Sequence, residues 1–355
     1  MPKIGTHDGK FHCDEDDFTA RRNEMKIGSY CFTYHVKLSR VLEAGYIKDG
    51  AECCGKSRSR DKDVLDACNI VVDVGGEYDH TTMRYDHHQK SFNHTMSTLQ
   101  VMSFSTKLSS AGLIYAHFGK NVISTLLDLT QNDPVIDILF EKIYETFVES
   151  IDAIDNGIPQ FDGEPRYHLG GTLSSRLSML NPSWNEDQNI VDERFMMAIK
   201  LVGNEFSELL SYLYKSWLPA RSHVIDAVNH RFDVDKSGQI FQLEAGGVPW
   251  KNHFFLIEKQ LHLENDNITY VIYKDNAKGD WRVQAIPFSE KQAFSCRLAL
   301  PEAWRGLRDA DLTKIADIHG CIFVHPTGFI GGNVSMEGAL QMAKKSLSLA
   351  GKYKG

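Results

Sequence analysis

The sequence has no apolar run long enough to cross a membrane, and its first residues carry neither an apolar signal core nor an Arg/Ser-rich presequence. These absences predict a protein of the cytoplasm or nucleus with no membrane partner. The seven cysteines are an odd number and form no C-x-x-C pair. They are therefore expected to be reduced thiols and not a disulfide framework or a structural zinc site.

The chain also has no excess of positive charge, since its formal net charge is −8. This value argues against broad electrostatic capture of a nucleic-acid backbone. A nucleic-acid substrate stays open, because divalent metal ions can reverse the sign of a carboxylate-rich cleft locally. With 355 residues, 42% of them hydrophobic, the chain is long enough for one large or two ordinary globular domains.

Short apolar runs alternate with helical periodicity in the first half of the chain. Residues 70–74 (Ile-Val-Val-Asp-Val) predict a buried strand that ends at two glycines, and residues 3–7 predict a shorter strand. Ser109 or Ser110 would cap a helix, and a second helix is predicted over 136–154. Such alternation of strands and helices predicts an α/β N-terminal half.

The pattern of predicted helices and strands changes in the second half of the chain. A long helix is predicted from about 191 to 217, interrupted by Pro219. Short β-type runs follow at 253–257, 268–273 and 281–286, and a last strand at 321–324 leads through a glycine loop into a helix from about 335. We therefore predict a metal-binding catalytic domain over 1–180, a connecting helical region over 181–230, and a smaller α+β substrate-binding domain over 231–355.

Residues 233–244 fit the calcium loop of an EF-hand position by position, with oxygen ligands, a glycine at position 6 and Glu244 at position 12. The Ala-Gly-Gly-Val-Pro that follows is a poor start for the exiting helix that an EF-hand needs. Phe232 and Val234 instead face the apolar residues of 240–243 across a short turn. This pattern predicts a β-hairpin and not a calcium site.

Carboxylate and imidazole side chains that could bind a metal or act in catalysis lie at or just after the ends of predicted strands and helices. They are His7, His12 and Asp14; Asp73; Asp86, His87 and His88; and Asp152 with Asp155. In an open α/β sheet, loops at the carboxyl ends of strands are where ligands gather. Each residue alone is more often a solvated or turn residue, and the ordered set is what favours a site.

Oxygen and imidazole ligands without thiolate favour Mn²⁺ or Mg²⁺ over structural zinc. A carboxylate that bridges two ions permits two-metal phosphoester chemistry. Asp73 is the candidate bridge, because it lies at the end of a rigid buried strand.

Several ordered motifs resemble those of the Myg exonuclease family within the Asp-His-His phosphoesterase superfamily. They include residues 5–15 (GTHDGKFHCDE), 72–79 (VDVGGEYD), 84–92 (RYDHHQKSF), 108–115 (LSSAGLIY), 152–157 (DAIDNG), 216–221 (SWLPAR), 304–309 (WRGLRD), 320–325 (GCIFVH) and 328–332 (GFIGG). The resemblance implies an Asp-His-His-type N-terminal domain, with a parallel sheet flanked by helices, and a smaller α+β C-terminal domain. It implies a 3′–5′ exonuclease of RNA processing that acts on single-stranded RNA and works in cytoplasm, nucleus or mitochondrion.

The resemblance also implies roles for individual residues. His7, His12 and Asp14 would hold one ion, Asp73 would bridge, and His87 with Asp155 (less so Asp152) would hold the second. Asp73, Asp86, His87 and His88 would form the catalytic set, with Asp86 orienting the imidazoles and His88 facing the scissile phosphate. Substrate would be held by His88, Lys90, His325, Gly331 and Gly332.

Two alternatives stay open. The same metals would also serve a smaller substrate, such as an oligonucleotide, a cyclic dinucleotide or pyrophosphate. The chain would instead be an inactive metal-binding scaffold if its departure from the family after Asp14 removes support for the first ion. In the family an apolar helix follows that motif, whereas residues 16–58 here lack an apolar face.

Overall fold

The computed structural model describes residues 3–6, 55–292 and 295–355. The chain divides into two compact units, residues 1–211 and 212–355. Both units combine helices with a five-stranded sheet, so the protein is of the mixed α/β type. Within the described part of the chain, no helix has the length and apolar character that crossing a membrane requires.

The first unit holds a largely parallel sheet with helices. Its strands are β1 Lys3–Thr6, β2 Gly55–Arg58, β3 Ile70–Val72, β4 Tyr78–Asp79 and β5 Arg84–Tyr85. Its helices are α1 Lys62–Asp66, α2 Ser110–Leu127, α3 Pro134–Ile143, α4 Glu149–Asp155, α5 Leu173–Ser178 and α6 Val191–Tyr212. The strand order is β2-β1-β3-β5-β4, and only β4 runs antiparallel to its neighbour.

Helix α2 is the central helix of this unit, because most of its first three turns are buried. The predicted cap is confirmed: the Ser109 hydroxyl accepts the N–H groups of Ala111 and Gly112. Helix α2 packs on α3 through the stacked rings of Tyr115 and Phe140, whose centroids are 4.7 Å apart. The helix predicted over 136–154 is also confirmed, as α3 and α4 joined by a π-helical turn at Tyr144–Val148.

The second unit holds a sheet with the order β6-β7-β8-β10-β9. The strands are β6 Ile240–Leu243, β7 Tyr270–Lys274, β8 Trp281–Ala285, β9 Cys321–Val324 and β10 Ile330–Asn333. The helices are α7 Leu218–Asn229, α8 Arg231–Val234, α9 Trp250–Gln260, α10 Asp309–Ala316 and α11 Met336–Leu349. One apolar cluster joins α7 and α9 to β6 and β7, and another joins α10 and α11 to the strands.

Three sequence predictions in this unit are wrong. The segment 253–257 lies in helix α9, because Trp250, Phe254 and Ile257 recur at helical spacing and bury one face of the helix. The predicted hairpin does not form: residues 231–234 are helical, and β6 pairs in parallel with β7. The predicted glycine loop is strand β10, which lies between β8 and β9.

One further feature differs in detail from the sequence prediction. Pro219 does not end the helical run, because it lies in the first turn of α7, after a π-helical turn at Leu213–Trp217. In the EF-hand-like segment, the Asp235 carboxylate lies 2.8 Å from the Lys344 ammonium and accepts the Tyr353 hydroxyl. The Asp235 carboxylate is therefore bound by two other side chains of the protein.

Candidate metal site

The candidate site lies at the edge of the first sheet where two parallel strands end. Strands β3 and β5 are neighbours, with Val72 opposite Tyr85. Asp73 follows β3 directly and Asp86 follows β5 directly. Because the two strands run in the same direction, both residues leave the sheet at its carboxyl edge, where the sequence placed the site.

Four potential metal ligands converge at this edge: Asp73, Asp86, His87 and His88. One ligand atom from each lies within 4.8 Å of the others. Nδ1 of His87 lies 3.2 Å from Oδ1 of Asp73, and Nδ1 of His88 lies 3.8 Å from the same oxygen. The first three residues are buried, whereas the His88 side chain is 40% exposed. His88 is therefore the member of the cluster most open to solvent.

Asp155, at the end of α4, approaches the other ring nitrogen of His87. Its Oδ2 lies 3.1 Å from Nε2 of His87. That oxygen is buried and has no well-aligned hydrogen-bond partner among the described residues. A buried carboxylate oxygen and an imidazole nitrogen this close, without a well-aligned hydrogen bond, fit two ligands that converge on one cation.

The carboxylates around His87 control its charge. Burial disfavours the imidazolium, but the neighbouring Asp155 and Asp73 outweigh burial and raise the pKa of His87 to about 10. Burial raises the pKa of Asp155, and the nearby His87 opposes that shift. Without a metal, the neighbouring carboxylates therefore favour the protonated form of His87, whose positive charge would offset theirs.

Asp86 holds the backbone at Gly76 and the side chain of His88 in place. Its Oδ2 accepts the N–H of Gly76 at 2.6 Å, and its Oδ1 lies 2.6 Å from Nδ1 of His88. The contact with His88 and the other hydrogen bonds outweigh the effect of burial and lower the pKa of Asp86. Asp86 thus orients the imidazole of His88, which leaves Nε2 of that ring free to face a ligand.

Ser110 joins two of these side chains, a contact that the sequence did not reveal. Its hydroxyl donates to Oδ1 of Asp73 at 2.9 Å and lies 2.9 Å from Nδ1 of His87. Ser110 is the first residue of α2, and the only sequence signal for it was its position next to the Ser109 cap. The amino end of α2 thereby fixes the orientation of His87.

Asp152 and Asp155 lie on the same short helix but have different surroundings. Oδ1 of Asp152 accepts the N–H and hydroxyl of Ser109 and the N–H of Gly112, and its Oδ2 accepts the Tyr144 hydroxyl. Burial raises the pKa of Asp152 to about 7 despite these donors. Asp152 therefore joins α4 to the start of α2, and Asp155 is the carboxylate that faces His87.

The other residues named from the sequence lie elsewhere. His7, His12 and Asp14 are outside the described residues. Lys90 is exposed, two residues after His88. In the second unit, Nδ1 of His325 lies 2.9 Å from the Thr327 hydroxyl, in the turn between β9 and β10.

Gly331 and Gly332 are in the middle of β10, paired with strands on both sides, so the expectation of a loop with free N–H groups is wrong. The physical reason is close packing. A Cβ on Gly331 would lie 2.9 Å from Leu300 Cδ1, and one on Gly332 would lie 2.9 Å from the Phe323 ring and 3.0 Å from Arg282 Nη1. Arg282 and Arg308 both lie over the Phe323 ring, at 5.5 and 5.9 Å from its centroid. This part of the sheet carries cationic and aromatic groups.

The cluster in the first unit has the chemistry of a divalent cation site. Its ligand atoms are carboxylate oxygens and imidazole nitrogens, and no described cysteine belongs to it. Such a set suits a divalent cation. The buried Asp155 oxygen without an aligned donor and the protonated His87 both mark the place of a positive charge.

Comparison with known proteins identifies the family of this chain. The model of the MYG1 exonuclease family, described as an uncharacterised protein family (UPF0160), matches residues 52–347. A MYG1 protein of Caenorhabditis elegans is 48% identical over 346 residues, covering 98% of this chain and 95% of the relative. The MYG1 exonucleases of Mus musculus and Homo sapiens are each 47% identical over 349 residues, covering 98% of this chain and 85% and 86% of theirs. No solved structure matches. The chain belongs to the MYG1 exonuclease family.

Proposed function

We propose that this protein is a metal-dependent nuclease, and more finely a 3′–5′ exonuclease that degrades single-stranded RNA. The observation that carries the proposal is the convergence of Asp73, Asp86, His87 and His88 on one sheet edge, within reach of Asp155. The mouse and human relatives are named exonucleases, and the motifs of this chain resemble those of that family. Both observations support the nuclease class over other metal-dependent hydrolases.

The proposed site holds two Mn²⁺ or Mg²⁺ ions. His7, His12 and Asp14 would bind one ion, His87 and Asp155 the other, and Asp73 would bridge them. When bound, such ions activate water and stabilise negative charge on a phosphoryl group. Asp73 suits the bridge because it lies directly after β3 at the sheet edge and its Oδ1 is 3.2 Å from Nδ1 of His87, a proposed ligand of the second ion.

His88 is the proposed contact to the scissile phosphate. It is the most exposed residue of the cluster, and Asp86 fixes its ring at Nδ1. A histidine held in this way presents Nε2 toward the substrate in one orientation. Its positive charge, when protonated, would stabilise charge on the phosphate oxygens.

A polyanionic substrate also agrees with the second unit. Arg282 and Arg308 lie over Phe323 on its sheet, and both cation and ring are groups that single-stranded nucleic acids contact. Arg308 is exposed and supplies local positive charge in a chain whose net charge is −8, whereas the Arg282 guanidinium is paired with Asp275 at 3.2 Å. Arg308 and the Phe323 ring therefore favour a nucleic-acid chain over pyrophosphate as the substrate.

The test is degradation of labelled single-stranded RNA by the full chain, with Mn²⁺, with Mg²⁺ and with chelator. We expect metal-dependent laddering of a 5′-labelled RNA and immediate release of mononucleotide from a 3′-labelled RNA. Asp73→Asn should abolish both without unfolding the protein, because asparagine also tolerates a positive φ. DNA of the same sequence, a dinucleotide and pyrophosphate would be compared in parallel.

Each outcome decides one part of the proposal. Turnover of the dinucleotide or pyrophosphate without degradation of RNA would replace the exonuclease with a small-substrate hydrolase. Absence of metal binding and of any turnover would identify an inactive scaffold. Preference for the DNA strand would correct the substrate class alone.

A further inference from the structure

Lys107 is a lysine beside the acidic cluster that none of its carboxylates neutralises. It is half-buried and makes no salt bridge within the described residues. Its ammonium instead lies over the Phe92 ring, 5.7 Å from the ring centroid. Phe92 is buried and packs edge-on against the His87 ring, with centroids 6.4 Å apart. The Phe92 ring therefore contacts both the ammonium of Lys107 and a candidate metal ligand.

The backbone of Lys107 is held from two sides. Its carbonyl accepts the Asn156 side-chain amide at 3.0 Å, and Asn156 directly follows Asp155. Lys107 also forms a β-bridge with Thr95. The next residue, Leu108, donates its N–H to the His94 carbonyl. The backbone of Lys107 is therefore held in place relative to α4 and to the Phe92 segment.

Two other lysines of the first unit are paired with carboxylates, whereas Lys107 is not. Lys120 lies over the Phe140 ring in a similar way, at 5.5 Å, but its ammonium also lies 2.6 Å from an Asp137 oxygen. Lys142 pairs with Glu145 at 2.7 Å. A lysine that rests on a ring alone is held by a weak attraction, and a phosphate oxygen offers it a stronger, charge-assisted hydrogen bond.

From this geometry we infer that Lys107 is a substrate-binding residue that contacts a backbone phosphate of a nucleic-acid strand entering the candidate metal site. This inference rests on the proposed function. Phe92 would keep the side chain near the site in the free protein. On binding, the ammonium exchanges the ring for a phosphate oxygen, and the positive charge offsets repulsion between the substrate and the buried carboxylates.

The test compares Lys107→Gln and Lys107→Arg with the matched control Lys120→Gln, all in the full chain loaded with Mn²⁺. For Lys107→Gln we expect KM on single-stranded RNA to rise about tenfold, as for loss of one charged hydrogen bond, with kcat nearly unchanged. The slope of log affinity against log salt should fall by about 0.7, the value for one phosphate contact on a single strand. Lys107→Arg should restore most of the affinity, and Lys120→Gln should leave both quantities unchanged.

Manganese content and thermal unfolding of each variant show whether the site and fold are intact. If wild-type protein degrades RNA and Lys107→Gln matches Lys120→Gln in KM and salt slope, the role of Lys107 is wrong and the proposed function stands. If wild-type protein neither binds nor degrades RNA, the proposed function fails, and the role of Lys107 fails with it. A loss of bound manganese in Lys107→Gln would also overturn the inference, because it would indicate a structural role.

Discussion

Nε2 of His87 lies 3.1 Å from Oδ2 of Asp155, whereas Asp152, three residues earlier on the same helix, accepts four hydrogen bonds from α2 and Tyr144. The two carboxylates of α4 therefore differ in what they do. One is available to a cation, and the other is occupied by protein donors.

The first prediction separates these two carboxylates by metal binding. Asp155→Asn should lower manganese affinity about tenfold or more, because it removes a charged ligand beside His87. Asp152→Asn should change the affinity much less, because its carboxylate contacts no other member of the cluster. Titration calorimetry with Mn²⁺ on both variants measures the difference. Equal losses in the two variants would contradict the assignment of Asp155 as the ligand.

The second prediction concerns folding stability. Asp152→Ala removes the acceptor of the buried Ser109 N–H and hydroxyl and the nearer of two acceptors of the Gly112 N–H, and we expect a loss of about 2 kcal/mol or more in the free energy of unfolding. Asp152→Asn keeps the acceptor at Oδ1 and can donate to the Tyr144 oxygen, so it should cost about 1 kcal/mol or less. Urea unfolding at constant pH gives both values. An asparagine variant as unstable as the alanine variant would show that the charge itself is needed.

The pH dependence of the same residue has a definite sign. Burial raises the pKa of Asp152 to about 7, above its ordinary value of 3.8. Its contribution to stability is therefore complete below about pH 4 and is lost as the pH rises toward 7. Replacing it with asparagine should flatten the stability profile between those values. Urea midpoints of the metal-free protein from pH 4 to 8 test this, and parallel profiles for both proteins would contradict it.

The third prediction uses Gly112, against which Asp152 packs. A Cβ at this position would come within 2.3 Å of the Asp152 carboxylate, so Gly112→Ala should destabilise the protein by about 1–3 kcal/mol. The matched control is Gly170→Ala, where a Cβ would meet no atom within 4 Å. Thermal unfolding of the two variants measures the difference. If both unfold at the wild-type temperature, the contact between α2 and Asp152 is looser than described.

The fourth prediction follows from His87. Its pKa of about 10 favours a positively charged imidazole, with a proton on each nitrogen, in the metal-free protein at neutral pH, whereas a metal ligand must be neutral. Metal binding should release this proton, and the apparent affinity should rise about tenfold per pH unit below pH 10. Calorimetry in two buffers of different ionisation enthalpy counts the proton. An affinity that does not change between pH 6 and 8 would show that His87 does not bind the ion.

Much of the candidate site could be predicted because its signals are local. The buried run before Asp73 indicates a strand, and the adjacent Asp86, His87 and His88 mark the end of another. What could not be predicted depends on packing between distant segments. Nothing local to Asp152 and Asp155 says which carboxylate meets His87, and Ser110 acquires its role only because the amino end of α2 reaches the sheet edge.

The errors in the second unit have a similar origin. Phe254 and its neighbours are apolar enough for a strand, and only the spacing from Trp250 to Ile257 distinguishes the helix. Gly331 and Gly332 are typical loop residues by type, yet Leu300 beside Gly331, and Phe323 and Arg282 beside Gly332, leave no room for a side chain. Packing against the neighbouring strands therefore requires glycine at position 332. These contacts join residues far apart in the chain and could not be predicted from the sequence.

Asp73 has a φ of 62°, a conformation that an aspartate adopts at a cost of about 1 kcal/mol or more and that glycine adopts freely. Replacement by glycine would relieve this strain and remove the candidate bridging ligand at once. Evolution toward greater stability alone would therefore tend to erase the residue. Its retention in a lineage would record selection for activity, and its loss would be an early sign that the protein had stopped using metal.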